Sequence, residues 1–347
     1  MRKIFFALTI MVVFSSCAQD KKKTTKETNQ PIEKNMNPTI TAQNFVDQIV
    51  NQTTHFNDQP MYYLRINKVN CLYEVLVNDF PVDKMYELGY NASPTEINQV
   101  ILQSGIQKVT YRLYPIGNLM AENYEGNHPP VETLINDTEI EIEVIRVDDY
   151  RTYNSTYQEK TILKHTSLKK EKTDHFIAAG QKYYEYSFTF DATVPYNNEG
   201  WRNGQDLTQL DQKVLNQKII EYYKAYQEVL QKKDANTEAK VNFKEELRNS
   251  IALYRERKDI QKVWDEYMRP FWVEKDFQPL ENYKATFYSN GRVVSLRQSN
   301  IEDLRLRGES ALWFFYKKED RLRANFPGVY LYLPQGEKLE DGLYMMP

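Results

Sequence analysis

Covalent bracing is nearly absent from this chain: 347 residues hold two cysteines, Cys17 and Cys71. Histidine is scarce as well, with His55, His128, His165 and His175 the full set, and no two of them stand at metal-ligand spacing. The HExxH, Walker A, GxGxxG and Gly-x-Ser-x-Gly patterns are all missing. These gaps remove the recognisable signatures of zinc hydrolases, P-loop NTPases, dinucleotide enzymes and nucleophile-elbow hydrolases. The expectation is a protein without cofactor or metal and without a motif-defined catalytic centre. Charge of one sign is not in excess either: 45 Lys and Arg face 48 Asp and Glu, a formal net of −3. Without a basic stripe, nucleic acid is not an expected partner. Beyond the amino terminus, no apolar run approaches the ~20 residues a membrane-spanning helix needs.

What is present begins at the amino end. Arg2 and Lys3 precede an apolar run from Ile4 to Phe14, followed by Ser15, Ser16 and Cys17. A positive start, a short apolar stretch and small residues make the three-part layout of a secretory signal over residues 1–16. Small residues directly before a cysteine resemble the lipobox of bacterial lipoproteins, although Phe14 occupies the place where that family usually has Leu. The resemblance implies that Cys17 is acylated and becomes the new amino terminus. At about 0.8 kcal/mol per buried methylene, more than one acyl chain makes a stable anchor. Ala18, rather than Asp, follows the cysteine, which implies sorting to the outer membrane; whether the body faces the periplasm or the outside stays open. Loss of residues 1–16 moves the formal charge from −3 to −5. With Cys17 acylated, Cys71 has no partner, so the exported body depends on its core alone. The setting Val69-Asn70-Cys71-Leu72-Tyr73 reads as a small buried hydrophobe rather than a reactive thiol. Residues 17–38, with Lys21, Lys22, Lys23, Thr24, Thr25 and Lys26, read as a flexible tether holding the body ~25 Å from the bilayer.

Residues 39–195 read as an antiparallel β-sandwich preceded by a short helix carrying Phe45, Ile49 and Phe56. Tyr62 to Ile66, Leu72 to Val77, Val109 to Tyr114 and Tyr183 to Val194 are strand-like. Glu139-Ile140-Glu141-Ile142-Glu143-Val144 alternates cleanly between a wet face and a buried one. The segment Val77-Asn78-Asp79, then Ile97 to Gly105, then Lys108 to Tyr114 resembles galactose-binding-like jelly rolls, which implies a sandwich and no particular sugar site. Residues 196–207 form a turn-rich linker, and 208–347 an α+β unit. A capping-box-like start at Thr208 and Asp211 opens a helix with the stripe Leu215, Ile219, Tyr222, Tyr226 and Val229. A second helix carries Phe243, Leu247, Ile251 and Tyr254. A third carries Ile260, Val263, Trp264 and Tyr267 and is expected to stop at Pro270. Strands follow at Tyr283 to Ser289, Arg292 to Leu296, Ala311 to Tyr316 and Val329 to Leu333, with Asn290-Gly291 a strong hairpin signal. Helices followed by a curved sheet, with a Lys-Lys-Asp turn after a tyrosine-rich helix, resemble NTF2-like domains over roughly residues 205–347, a fold that hosts enzymes and non-enzymes alike. The fold class expected for the whole chain is α+β.

The best binding candidate is the linker, where Trp201, Arg202, Asn203 and Asp206 join a stacking aromatic, a bidentate cation, an amide and a carboxylate. Against it stands packing of Trp201 into a domain interface. Asp234, Asn236, Glu238 and Glu245 match a calcium-loop spacing, but Ala239 replaces the glycine that the sharp turn requires, and a loop between two helices explains the same residues. Glu139, Glu141 and Glu143 read as the wet face of a strand, and Asp148 with Asp149 as a loop. The function expected from these features is an envelope-anchored, non-catalytic lipoprotein binding a protein or glycan partner at the outer membrane. Two alternatives are an immunity-type lipoprotein that neutralises a secreted toxin, and a glycan or cell-wall hydrolase with a polar pocket in the second unit. Oligomeric state is left open.

Overall fold

A computed structural model describes residues 32, 36–152, 158–299, 303 and 305–347; the leader, Cys17 and most of the expected tether lie outside the described residues. Alternating apolar runs from Met61 onward become strands. Helix α1 (Phe45–Gln52) is followed by β1 (Met61–Val69), β2 (Leu72–Val77), β3 (Phe80–Met85), β4 (Thr95–Glu96) and β5 (Gly105–Tyr114). A short helix α2 (Leu119–Asn123) leads to β6 (Glu139–Val147), β7 (Glu159–Thr166) and β8 (Tyr184–Ala192). Two four-stranded sheets result, β4-β1-β6-β7 and β3-β2-β5-β8, with antiparallel pairing throughout. On β6, Ile140, Ile142 and Val144 are fully buried. Their glutamate neighbours collect only the protein's own cations: Glu139 pairs with Lys169, Glu141 with Lys164, and Glu143 with Arg65.

The inner faces of the two sheets meet across the sandwich. Tyr111 of β5 lies 3.2 Å from His165 Nε2 of β7, and the His165 ring stacks on Phe188 of β8 at 4.5 Å. Cys71 is fully buried, and burial pushes its thiol up to about 12, so it fills space and is a poor nucleophile at neutral pH. Asn78 and Asp79, both with φ near +60°, form the tight turn between β2 and β3, as hairpin geometry requires.

The second body is built from α3 (Gln212–Lys232), α4 (Ala235–Ala252) and α5 (Arg257–Trp272). Its strands are β9 (Asp276–Phe277), β10 (Tyr283–Tyr288), β11 (Val293–Gln298), β12 (Phe314–Lys318), β13 (Arg321–Asn325), β14 (Leu331–Tyr332) and β15 (Tyr344–Met345). The stripe Leu215, Ile219, Tyr222, Tyr226 and Val229 is buried in full. Asp211 caps α3 directly, accepting from the amides of Lys213 and Val214, while Thr208 belongs to a preceding turn capped by Asp206. Helix α5 runs through Pro270 to Trp272: the proline's fixed φ suits a helix, and the amide it lacks is missed only in the last turn. In place of one curved sheet there are two, β10-β11-β14-β15 and β13-β12-β9. The chain is thus α+β. Among the described residues no helix is long and apolar enough to cross a membrane.

Helix α1, expected with the sandwich, packs on the helical layer: Phe45 stacks on Trp264 at 4.0 Å and meets Phe243 edge-on. Ile32 is buried and Met36 packs against the same core, so the tether expected through residue 38 is already ordered there by its few apolar side chains. One continuous apolar cluster runs through both bodies. At the join Phe80 stacks on Trp201 at 5.0 Å and meets Tyr330 at a tilt at 4.8 Å. The two hairpin tips also meet: Asp79 accepts from the amides of Ser289 and Asn290, at 3.0 and 2.8 Å.

Candidate functional site: a basic, tyrosine-lined cleft between the two bodies

The linker residues singled out from the sequence do not converge. Trp201 is only 4% exposed, held between Phe80 and the Arg248 guanidinium 5.0 Å from its ring centre, so no free face is left for a ligand. Arg202 secures its own surroundings, donating to Asn197 and to the carbonyl of Asn198, each at 2.6 Å, and to Gln103. Asn203 buries its side-chain oxygen without a partner, and Asp206 caps the turn at Thr208. Trp201 and Arg202 do line a groove of about 590 Å³ with Ser104, Gln107 and Arg292, but the tryptophan is almost fully buried there. The calcium-spaced residues are likewise dispersed: Asp234 caps α4, and Glu238 lies inside that helix with no exposure.

A larger cavity, about 710 Å³, opens where the sandwich meets the second body. Its two walls are sheets of opposite electrostatic design. On the sandwich wall, pairing across the strands sets Lys84 of β3 beside Glu74 of β2, Glu74 beside Arg112 of β5, and Arg112 beside Glu185 of β8. Charges alternate along this row and neutralise one another. Arg112 sits 3.6 Å from Glu74 and 2.8 Å from Glu185, while Lys84 reaches Glu309 at 2.8 Å. Glu74 also accepts from the hydroxyls of Tyr86 and Tyr114.

The opposite wall is the β10–β11 hairpin. Its register places Lys284 directly across from Arg297 and Thr286 across from Ser295. Like charges facing each other on a sheet are unfavourable, and neither forms an ion pair among the described residues. Arg297 is 8% exposed, with its guanidinium over Tyr330 at 4.5 Å and near Tyr288 at 6.0 Å; its Nε and Nη2 have no hydrogen-bond partner. Burial presses against its charge, and the surrounding tyrosines offset this, leaving the guanidinium firmly protonated. Arg307 closes one side, its guanidinium 4.4 Å from the Tyr114 ring and 5.0 Å from that of Tyr86. The Asn290-Gly291 turn pointed to this hairpin, and its register, counted outward from the turn, already sets Lys284 against Arg297. Ending the second strand at Leu296 left Arg297 out of the sequence reading. The sandwich wall is too distant in sequence to have been joined to it, and Arg307, close by in sequence, sits in a loop with no periodic signal to place it.

A second cavity, about 430 Å³, lies within the helical body among Trp264, Tyr267, Phe271 and Phe314, with Glu245, Glu246, Glu266 and Lys275 on its lining. Behind it the buried Glu238 uses one oxygen to accept from Tyr226 at 2.7 Å, from Asn242 at 3.1 Å and from Tyr267. Burial raises the carboxyls of Glu238 and Glu245, the hydrogen bonds to Glu238 and the Arg248 charge near Glu245 working in the opposite sense. Burial likewise pulls the Lys275 ammonium down to about 8. Among the described residues no group of His, Cys, Asp and Glu is placed to hold a metal ion. The chain matches no known protein family, and no curated protein or solved structure is significantly similar to it. The reading of the site therefore rests on its geometry.

Proposed function

We propose that this chain is an envelope-anchored, non-catalytic binding protein that seats a protein or glycan partner in the cleft between its two bodies. One observation carries the reading: tyrosine rings converge there with Lys284, Arg297 and Arg307, which have no carboxylate partner among the described residues. Joins between bodies are common ligand sites, and tyrosine with arginine dominates recognition surfaces. The concave, ring-lined shape favours a glycan segment over a flat protein face. The anchor rests on the leader and Cys17 alone. A photo-crosslinking residue at Tyr183, which lines the cleft and is 43% exposed, is expected to capture a reproducible adduct in whole cells, whereas the same residue at the exposed Leu322 is not. No adduct at Tyr183 overturns the binding reading. A secreted toxin as the captured species selects the immunity alternative, and an unmodified mature amino end overturns the anchor.

A hydrolase reading has one observation in its favour. Glu245, its carboxyl raised by burial, lines the inner cavity with two further glutamates, the setting of a general acid. Turnover of cell-wall glycan that Glu245→Gln abolishes supports it; absence of turnover by the intact chain removes it.

A further inference from the structure

We propose that the ligand in this cleft is an acidic sugar and that Arg297 binds its oxyanion, a carboxylate or a phosphoryl group; the inference rests on the binding reading above. Arginine cannot shed its proton to relieve burial, so a buried guanidinium requires an acceptor. Arg297 is more than nine-tenths buried, lines the cleft, and leaves Nε and Nη2 without a partner. The rings of Tyr330 and Tyr288 cover its face, and the side chain also hydrogen-bonds to Tyr288, while Nε and Nη2 stay without a partner. On the same wall the Thr286 hydroxyl is buried and unpartnered too, and Lys284 stands across from Arg297.

The nearby carboxylates are committed elsewhere. Glu74 is held by Arg112, Tyr86 and Tyr114, Glu309 by Lys84, and Asp83, the third carboxylate on the lining, accepts from the hydroxyls of Thr95 and Tyr73. The acceptor that Arg297 lacks must therefore come from outside the chain. An oxyanion placed among Arg297, Lys284 and Arg307 would offset the like-charge opposition of the hairpin and accept charge-assisted hydrogen bonds in a forked geometry. Tyrosine rings alongside provide faces for a sugar ring.

The test follows the arginine Nε–Hε resonances of the mature chain, labelled with ¹⁵N-arginine, during titration with glucuronate, glucose 6-phosphate, glucose and inorganic phosphate. The Arg297 resonance is expected to shift saturably with one or both acidic sugars and not with glucose. In Arg297→Gln, read at the Arg307 resonance, the response is expected to weaken by at least about tenfold, and in Arg307→Gln, read at the Arg297 resonance, by less. A response to glucuronate alone identifies a uronic acid, and a response to glucose 6-phosphate alone a phosphosugar. Equal response to inorganic phosphate and the acidic sugars means an adventitious ion only and overturns the sugar assignment. Glucose perturbing the cleft without any anion effect overturns this inference and leaves the binding reading standing. If Arg297→Gln fails to fold, Lys284→Gln and Arg307→Gln carry the test, and their indifference overturns the proposal.

Discussion

Buried charge of opposite sign lies behind one cavity and on the wall of the other, and the two are treated differently. In the helical body, Glu238 is surrounded by hydroxyl and amide donors, and burial raises its carboxyl. The group can take up a proton and become neutral. In the cleft, Arg297 is equally enclosed but has no such exit. A buried acid can settle its own account of charge with solvent protons, whereas a buried guanidinium needs a counterion. The difference separates a charge that can be neutralised in place from one that cannot, and the proposed oxyanion site rests on the second.

The harshest way to break the comparison is to pull the walls of the cleft apart while leaving the inner cavity alone. Phe80→Ala removes the ring packed between Trp201 and Tyr330 and is expected to cost about 3–5 kcal/mol in denaturant unfolding. Binding in the cleft should be lost with it. Gly291→Ala acts on one wall only: at φ +81° a Cβ would lie 2.2 Å from Asp206 Oδ1. It is expected to cost about 1–3 kcal/mol and to disturb the hairpin that carries Lys284 and Arg297. Arg297→Met sharpens the contrast, since an unpaired buried charge gives way to an apolar side chain. Stability is expected to rise by about 1–2 kcal/mol while response to acidic sugars disappears. Loss of stability in this variant would mean that Arg297 is structural.

The smallest effect belongs to Glu238→Gln, because the glutamine imitates the neutral acid; a change below about 1 kcal/mol is expected at mildly acidic pH. The pH dependence supplies the sign. A carboxyl raised in the folded state binds its proton more tightly there than in the unfolded chain, so its contribution is fully present below the ordinary glutamate value. That contribution is lost as pH rises through the raised value. Thermal melts of the intact protein should therefore fall relative to Glu238→Gln across that window. Parallel melts would show that Glu238 stays ionised.

Much of the frame was legible because its signals are local. The Glu-Ile alternation of β6, the apolar stripe of α3 and the Asn290-Gly291 turn each report on neighbours a few residues away, and each appears where expected. Strand β13 went unseen because Arg321-Leu322-Arg323-Ala324-Asn325 is an exposed edge with no apolar side to announce it. The packing of α1 on α5 depends on partners far along the chain; the packing of Trp201 into the join is among the sequence readings, but its partner Phe80 is not. The cleft is the extreme case: its chemistry lies in the relation between two sheets, one whose charged row is paired and one whose facing cations are not, which no single segment contains.

The hairpin tips joined through Asp79, Ser289 and Asn290 act like the pivot of a caliper whose jaws are the two sheets. Jaw spacing is then tied to two short turns that do not line the cleft. Inserting a single residue in either turn would reset the gap between the sheets that carry Arg112 and Arg297, altering the width of the cleft with every lining side chain left in place.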